Sequence, residues 1–286
     1  MSAEETRPPI SRVLVELGSL ADGEEVIKTA CDLAAAIQAE LYGLFVEEES
    51  LLDLSGLPFA HTVLPGRTQA QALNPELLRQ VYERLAASCR RALSARAHSA
   101  HLTWRFDTAR GYGAAEIRAK VSRTDLVVIQ QHRFGQSALE LVVAARGTAA
   151  VARGVVLIGR RSRRAKGPIV AIDDGDEAGA ETVALAAGLA RRHDAPVELF
   201  VVATDERSAR QTEARDLALL DNVRVAAVRR FVDRPDGTIE DALTRAAPRF
   251  VVADLDGAPF RDNESAVRLV RAARAPIVLI KPASAV

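Results

Sequence analysis

The chain has 286 residues, 48% hydrophobic and 27% charged, and its 38 basic and 38 acidic side chains cancel to a formal net charge of zero. That length can bury two ordinary cores, and a neutral chain has no global field to hold nucleic-acid phosphates, which argues against DNA and RNA as partners. The opening MSAEETRPPI puts Glu4, Glu5 and Pro8-Pro9 where a secretory leader needs an apolar core, and no apolar run reaches the roughly 20 residues that span a bilayer, so the expectation is a cytoplasmic protein without a membrane partner.

Short β-branched runs alternate with amphipathic stretches along the whole chain. The first set is a strand over 13–17, a helix over 24–38, a strand over 41–46, a helix over 75–98 and a strand over 102–106. It continues with a helix over 114–122, a strand over 125–129, a helix over 137–145 and a strand over 155–158. The second set has strands over 169–173, 197–202, 223–228, 250–253 and 277–280, with helices over 178–193, 207–220, 238–246 and 263–273 between them. Apolar runs this dense mark strands buried on both faces, hence a parallel sheet with helices on each side. Right-handed crossovers then predict an α/β fold of two repeated, doubly wound, mainly parallel five-stranded sheets.

The two sets are one pattern written twice. A gap-free shift of 156 positions sets Val13 on Ile169, Leu33 on Leu189, Ala39 on Ala195 and Val46 on Val202. A later shift of 124 positions aligns GYGAAEIRAKVSRTDLVVI with PDGTIEDALTRAAPRFVVA, pairing Gly113 with Gly237 and Glu116 with Glu240, each glycine opening a predicted helix. An internal repeat on this scale outranks any single motif. It divides the chain into domains over 11–159 and 168–283, separated by a basic linker over 160–167. The linker reads as solvated chain, with contact to an anion as the alternative.

The difference between the shifts lies mainly in an insertion over 48–74, which leaves the C-terminal end of a strand, where open α/β sheets bind ligands. Its Leu51, Leu52, Leu54, Leu57, Phe59, Val63 and Leu64 argue against plain disorder. A cover over the first-domain cleft, a contact surface for a partner, and a loop packed on its own domain are all open.

Other chemistry is sparse. Cys31 and Cys89 sit in separate predicted helices without ligand spacing and read as buried thiols. His98 and His101 end a long helix, as His193 ends another, where imidazolium suits the carbonyl terminus better than a metal does. Trp104 reads as strand packing. No GxGxxG follows a strand, and no GxxxxGK[ST], GxSxG or HExxH occurs. No catalytic residue and no metal ligand set is assigned.

TDLVVI, PIVAIDDG, ALAAGLARRHDAPVELFVV and RAARAPIVLIKP together resemble the universal stress proteins, and the two halves resemble their tandem form, covering the chain beyond Ser11. The resemblance implies domains of the adenine-nucleotide-binding class, paired about a pseudo-twofold axis through their last strands. It also implies an Asp-Gly after the first strand to hold adenosine, and a loop G-x2-G-x9-G followed by Ser or Thr after the fourth strand. Glycines there let backbone N–H groups approach phosphate.

Neither half has both elements. In the first, Gly18-Ser19 replaces Asp-Gly, and QQHRFGQS puts Gln130 and Arg133 on the leading glycines; Gly135 and Ser137 remain as remnants. In the second, Asp174-Gly175 matches, but the loop is ADLDGAPFRDNES, with Asn263-Glu264 on the Gly-Ser position. There Asp254, Asp256, Asp262 and Glu264 oppose a polyphosphate and Arg261 alone favours it. Mg²⁺ on these carboxylates is the minor alternative.

The expected function is therefore a non-catalytic stress-response or regulatory protein with degenerate nucleotide clefts, of which Asp174, Gly175, Gly135 and Ser137 are the surviving residues. No cofactor is assigned; the alternative is binding and slow hydrolysis of ATP or another adenine nucleotide. The expected partners are the second domain of the same chain, a second copy, and a protein not identified by the sequence.

Overall fold

A computed structural model describes residues 10–18, 23–57, 61–62, 71–72, 74–131, 137–160, 162, 166–176, 178–233 and 238–281. The first half contains β1 (Arg12–Leu17), α1 (Gly23–Ile37), β2 (Glu40–Glu48), α2 (Glu49–Ser55), β3 (His61–Thr62), β4 (Gln71–Ala72) and α3 (Pro75–Ser99). It continues with β5 (Trp104–Gly111), α4 (Gly113–Lys120), β6 (Asp125–Gln130), α5 (Ala138–Ala149) and β7 (Gly154–Ile158). The second half has β8 (Ile169–Asp173), α6 (Gly179–His193), β9 (Val197–Ala203), α7 (Glu206–Leu219) and β10 (Val225–Val232). It ends with α8 (Thr238–Ala246), β11 (Phe250–Asp254), α9 (Asn263–Ala273) and β12 (Ile277–Ile280).

Local chemistry sets the helix ends. Asn74 accepts from the N–H of Glu76 ahead of Pro75, so α3 starts with a cap and a residue that needs no N–H partner. Asp205 accepts from the N–H groups of Arg207 and Ser208 at the start of α7. At the other end, Asp194 and Arg274 stop α6 and α9 by entering the left-handed region at φ 48°.

The strands form one ten-stranded sheet in the order β10-β9-β8-β11-β12-β7-β6-β1-β2-β5. From its middle outward, each half repeats one order, last strand, fourth, first, second, third, and every neighbouring pair within a half is parallel. The two five-stranded sheets join through their last strands, β7 and β12, which run antiparallel with Val156 opposite Val278. Burial follows from this position, since both are interior strands and every residue of each is buried.

Two apolar layers cover the sheet, and each is continuous across the junction. Residues of α1, α3, α6 and α7 build one layer, and residues of α4, α5, α8 and α9 build the other. Helices also meet across the junction. A Cβ on Gly188 of α6 would lie 3.1 Å from the carbonyl of Ala36 in α1, so close helix approach there depends on glycine. On the opposite layer Arg146 Nε donates to Asn263 Oδ1 at 2.8 Å.

The outer strands are placed differently from the sequence reading. β5 and β10 run to Gly111 and Val232, beyond the expected 106 and 228, because past Phe106 and Val228 these edge strands carry polar and charged residues (Asp107, Thr108 and Arg110; Arg229 and Arg230) and no longer read as apolar runs. The helix α5 likewise continues past Ala145 through an exposed Gly147, where nothing crowds the backbone. In the insertion, Leu52 packs on the core while Leu51, Leu54 and Leu57 are exposed, and the antiparallel pair β3–β4 closes the segment. Among the described residues no helix is long and apolar enough to cross a membrane.

Candidate functional site

The C-terminal ends of β8, β9 and β10 and one face of α7 surround a cleft of about 840 Å³ in the second half. Its lining includes Asp174 and Gly175 after β8, Thr204 after β9, Asp233 after β10, Thr212 and Arg215 of α7, and Ala258 and Arg261 of the loop after β11. Gly175 has φ 85°, and a Cβ there would sit 2.7 Å from Thr212 Oγ1. The turn after β8 therefore needs glycine for its own geometry.

The loop after β11 meets Asp174. The N–H of Ala258 donates to Asp174 Oδ2 at 2.6 Å, so this carboxylate is held by the protein itself. Leu255 and Phe260 are buried at 4% and 1% exposure and pin the loop to the apolar layer. An open glycine cradle has no such anchors.

Near Asp174 lies a group of buried acids. Asp173, at the end of β8, accepts from the N–H of Gly175 and pairs with Arg215, which also reaches Asp216 Oδ1 through Nε at 3.0 Å. Burial raises the pKa of Asp216, with the nearby Asp173 charge adding to the rise and Arg215 opposing it. Burial also raises Asp254, and the adjacent Asp176 carboxylate adds to the effect. For Asp174 burial again leads; the N–H of Ala258 works against it and Asp176 reinforces it.

Arg215, Asp176 and Asp216 are functional-site candidates that the sequence reading missed. Arg215 and Asp216 sit in a highly charged helix, ERSARQTEARDLAL, where nothing distinguishes them from a solvated face. Arg215 pairs with Asp173 and Asp216, not with the acids of the loop after β11, among which Glu264 pairs with Arg268. Asp262 and Glu264 are exposed rather than in the cleft: Asp262 accepts from the N–H of Ser265 as the cap of α9, and Glu264 pairs with Arg268.

Ser137 is not among the residues that line this cleft. Ser137 accepts from the N–H of Glu140 at 3.2 Å, and Glu140 accepts from the N–H of Ser137, a reciprocal cap that starts α5. Gly135 lies outside the described residues, as do Ser19, His132 and Arg133. Gln131 is buried and its Oε1 accepts from the N–H of Arg160, which ties the strand end to the linker.

The remaining singled-out residues are structural. Cys31 and Cys89 are buried and are not joined in a disulfide. His98 Nδ1 lies 2.7 Å from the carbonyl of Ser94 and its ring meets Trp104 edge-on at 6.1 Å. His193 does more than end a helix: it stacks on Phe250 and faces Asp32 of α1 at 3.8 Å, across the junction of the halves.

No family profile matches the chain, and no curated protein matches it. Solved structures do. The cytoplasmic domain of a prokaryotic cation chloride cotransporter superposes with a TM-score of 0.54 at 12% identity, covering 96% of this chain and 97% of that one. A universal stress protein from Archaeoglobus fulgidus gives a TM-score of 0.53 at 12% identity, covering 94% of this chain and 98% of that one. The fold is that of the universal stress proteins, an alternating α/β arrangement on a mostly parallel sheet. At these identities the likeness concerns the fold alone.

Proposed function

We propose that this is a stress-response regulatory protein of the universal stress type, with two such domains over 11–159 and 168–283, acting through binding rather than catalysis, and with nucleotide sites degraded in both halves. The observation that carries this reading is the hydrogen bond from Ala258 to Asp174, which commits the adenosine-side carboxylate to the loop where a phosphate cradle would lie. Asp254 adds a buried carboxylate on the same side. Phosphate binding draws its energy from convergent N–H and cationic donors, and acceptor oxygens cannot replace them.

A second reading, an ATP-binding protein that hydrolyses slowly from one surviving site, is favoured by the cleft itself, whose volume of about 840 Å³ and exposed Arg261 suit a nucleotide-sized anion. Calorimetric titration with Mg-ATP separates the two. The first reading expects no measurable heat at micromolar concentrations; a low-micromolar dissociation constant, about −8 kcal/mol, overturns it in favour of the second. Native mass spectrometry of protein purified without added nucleotide gives an independent view: a co-purifying adenine nucleotide supports the second reading.

A further inference from the structure

The helix α5 carries an apolar row on its outer face. Leu139, Val143 and Val151 are 49%, 52% and 40% exposed, and Gly147 lies between the last two with open space where a Cβ would stand. Each of the four follows the one before by four residues, so they make one ridge along the helix. The N–H of Ala152 still reaches the carbonyl of Thr148, which carries the last turn through Val151.

The fold does not impose this face. In the second half α9 occupies the same place, between the fourth strand and the last. Counted from the caps Ser137 and Asp262, the positions of Leu139 and Val143 are those of Glu264 and Arg268, which pair with each other, and Arg268 also meets Glu240. Gly147 is the second anomaly. Glycine inside a helix costs about 1 kcal/mol relative to alanine, and nothing within 4 Å in the chain requires its missing side chain. An apolar ridge where the repeat has an ionic one, and a costly glycine with no internal contact to explain it, both point outside the chain.

The ridge is complementary to itself. A twofold axis across its midpoint, level with Ala145, sets a second α5 antiparallel to the first, with Leu139 against Val151 of the second copy and Val143 against its Gly147. The branched side chain of Val143 then enters the gap at Gly147, once on each side of the axis. The exposed Glu140 falls level with Ala150, so no like charges meet. We propose that two copies of this chain associate through α5, helix against helix, as a reversible dimer. One helix face from each copy buries less than the roughly 1,200 Å² of a stable interface, so a dissociation constant of about 10⁻⁵–10⁻⁴ M is expected. None of the four ridge residues lines the second-half cleft, and the inference is independent of what that cleft binds.

The test is sedimentation equilibrium of the full chain from about 1 μM to about 1 mM, a range that brackets that constant. A monomer–dimer equilibrium is expected. Val143→Glu and Gly147→Lys should each weaken it at least about ten-fold, whereas Arg271→Gln, on the exposed face of α9, should leave it unchanged. At low micromolar concentration Gly147→Lys should melt at or above the parent temperature, because lysine is the better helix former and suits the carbonyl end of α5, so its lost association cannot be ascribed to a lost fold. The proposal is overturned if the parent stays monomeric throughout, if both α5 variants associate as the parent does, or if Leu54→Glu in the insertion abolishes association while the α5 variants do not.

Discussion

The N–H of Ala258 and Asp174 Oδ2 are 2.6 Å apart, joining the loop after β11 to the loop after β8. This contact gives the second-half cleft its character. The loop after β11 thereby bounds one side of the cleft, whose other lining residues come from the ends of β9 and β10 and from α7. The other oxygen of Asp174, Oδ1, is buried without a hydrogen-bond partner.

Phe260 should be the anchor of that loop. It is 1% exposed and packs in the layer built by α5, α8 and α9. Phe260→Ala is expected to cost about 3–5 kcal/mol in denaturant unfolding and to speed amide exchange at Ala258. A cost below about 1 kcal/mol would mean that the loop holds without its apolar pin.

The junction between the halves should be intolerant of added volume. A Cβ on Gly154 would fall 2.6 Å from the carbonyl of Leu279 in the facing strand. Gly154→Ala is therefore expected to destabilise the protein by about 1–3 kcal/mol. Gly147→Ala, in an exposed turn of α5 with nothing within 4 Å, should stabilise by about 0.5–1 kcal/mol. Equal melting temperatures for the two variants would contradict the tight β7–β12 packing.

Asp125 is the buried member of an ion pair, 1% exposed against 18% for Arg12, with Arg12 Nε at 2.9 Å and the N–H of Ser122 at 2.7 Å. Asp125→Ala strands the partly buried guanidinium and removes an acceptor from Ser122, so a loss of about 3–5 kcal/mol is expected. Removing both charges with Arg12→Met and Asp125→Leu should cost less than Asp125→Ala alone. A double variant less stable than Asp125→Ala would refute the stranded-charge explanation.

Glu16 sets an expected pH dependence. Burial, reinforced by Glu48, raises its pKa from 4.5 to about 7. The folded state therefore binds this proton more tightly than the unfolded state does, and stability falls as pH rises from about 4.5 to about 7. Glu16→Gln removes that loss. The variant should exceed the parent by about 1–3 kcal/mol at pH 8 and match it near pH 4. Urea melts at the two pH values measure this; a constant difference between the proteins would show that Glu16 does not titrate in this range.

Much of the fold is legible in the residues because its signals are local. The buried strands RVLVEL, DLVVIQ, IVAID and FVVAD each carry a short apolar run, and the repeat between Val13 and Ile169 exposes the shared strand order. Asp174-Gly175 is legible for the same reason, since a turn after a strand is a short-range pattern. The ends of β5 and β10 are not, because edge strands exposed to water need no unbroken apolar sequence.

Sequence by itself determined the alternation of strand and helix, the twofold writing of the unit, and the absence of a familiar phosphate-binding glycine loop. Tertiary structure alone decided the register that sets Val156 opposite Val278, that Arg215 reaches back from α7 to Asp173, and that His193 faces Asp32. The reason is physical: period and propensity act within a few residues, whereas these contacts depend on crossovers that bring distant strand ends together, and their electrostatics depend on the burial that follows.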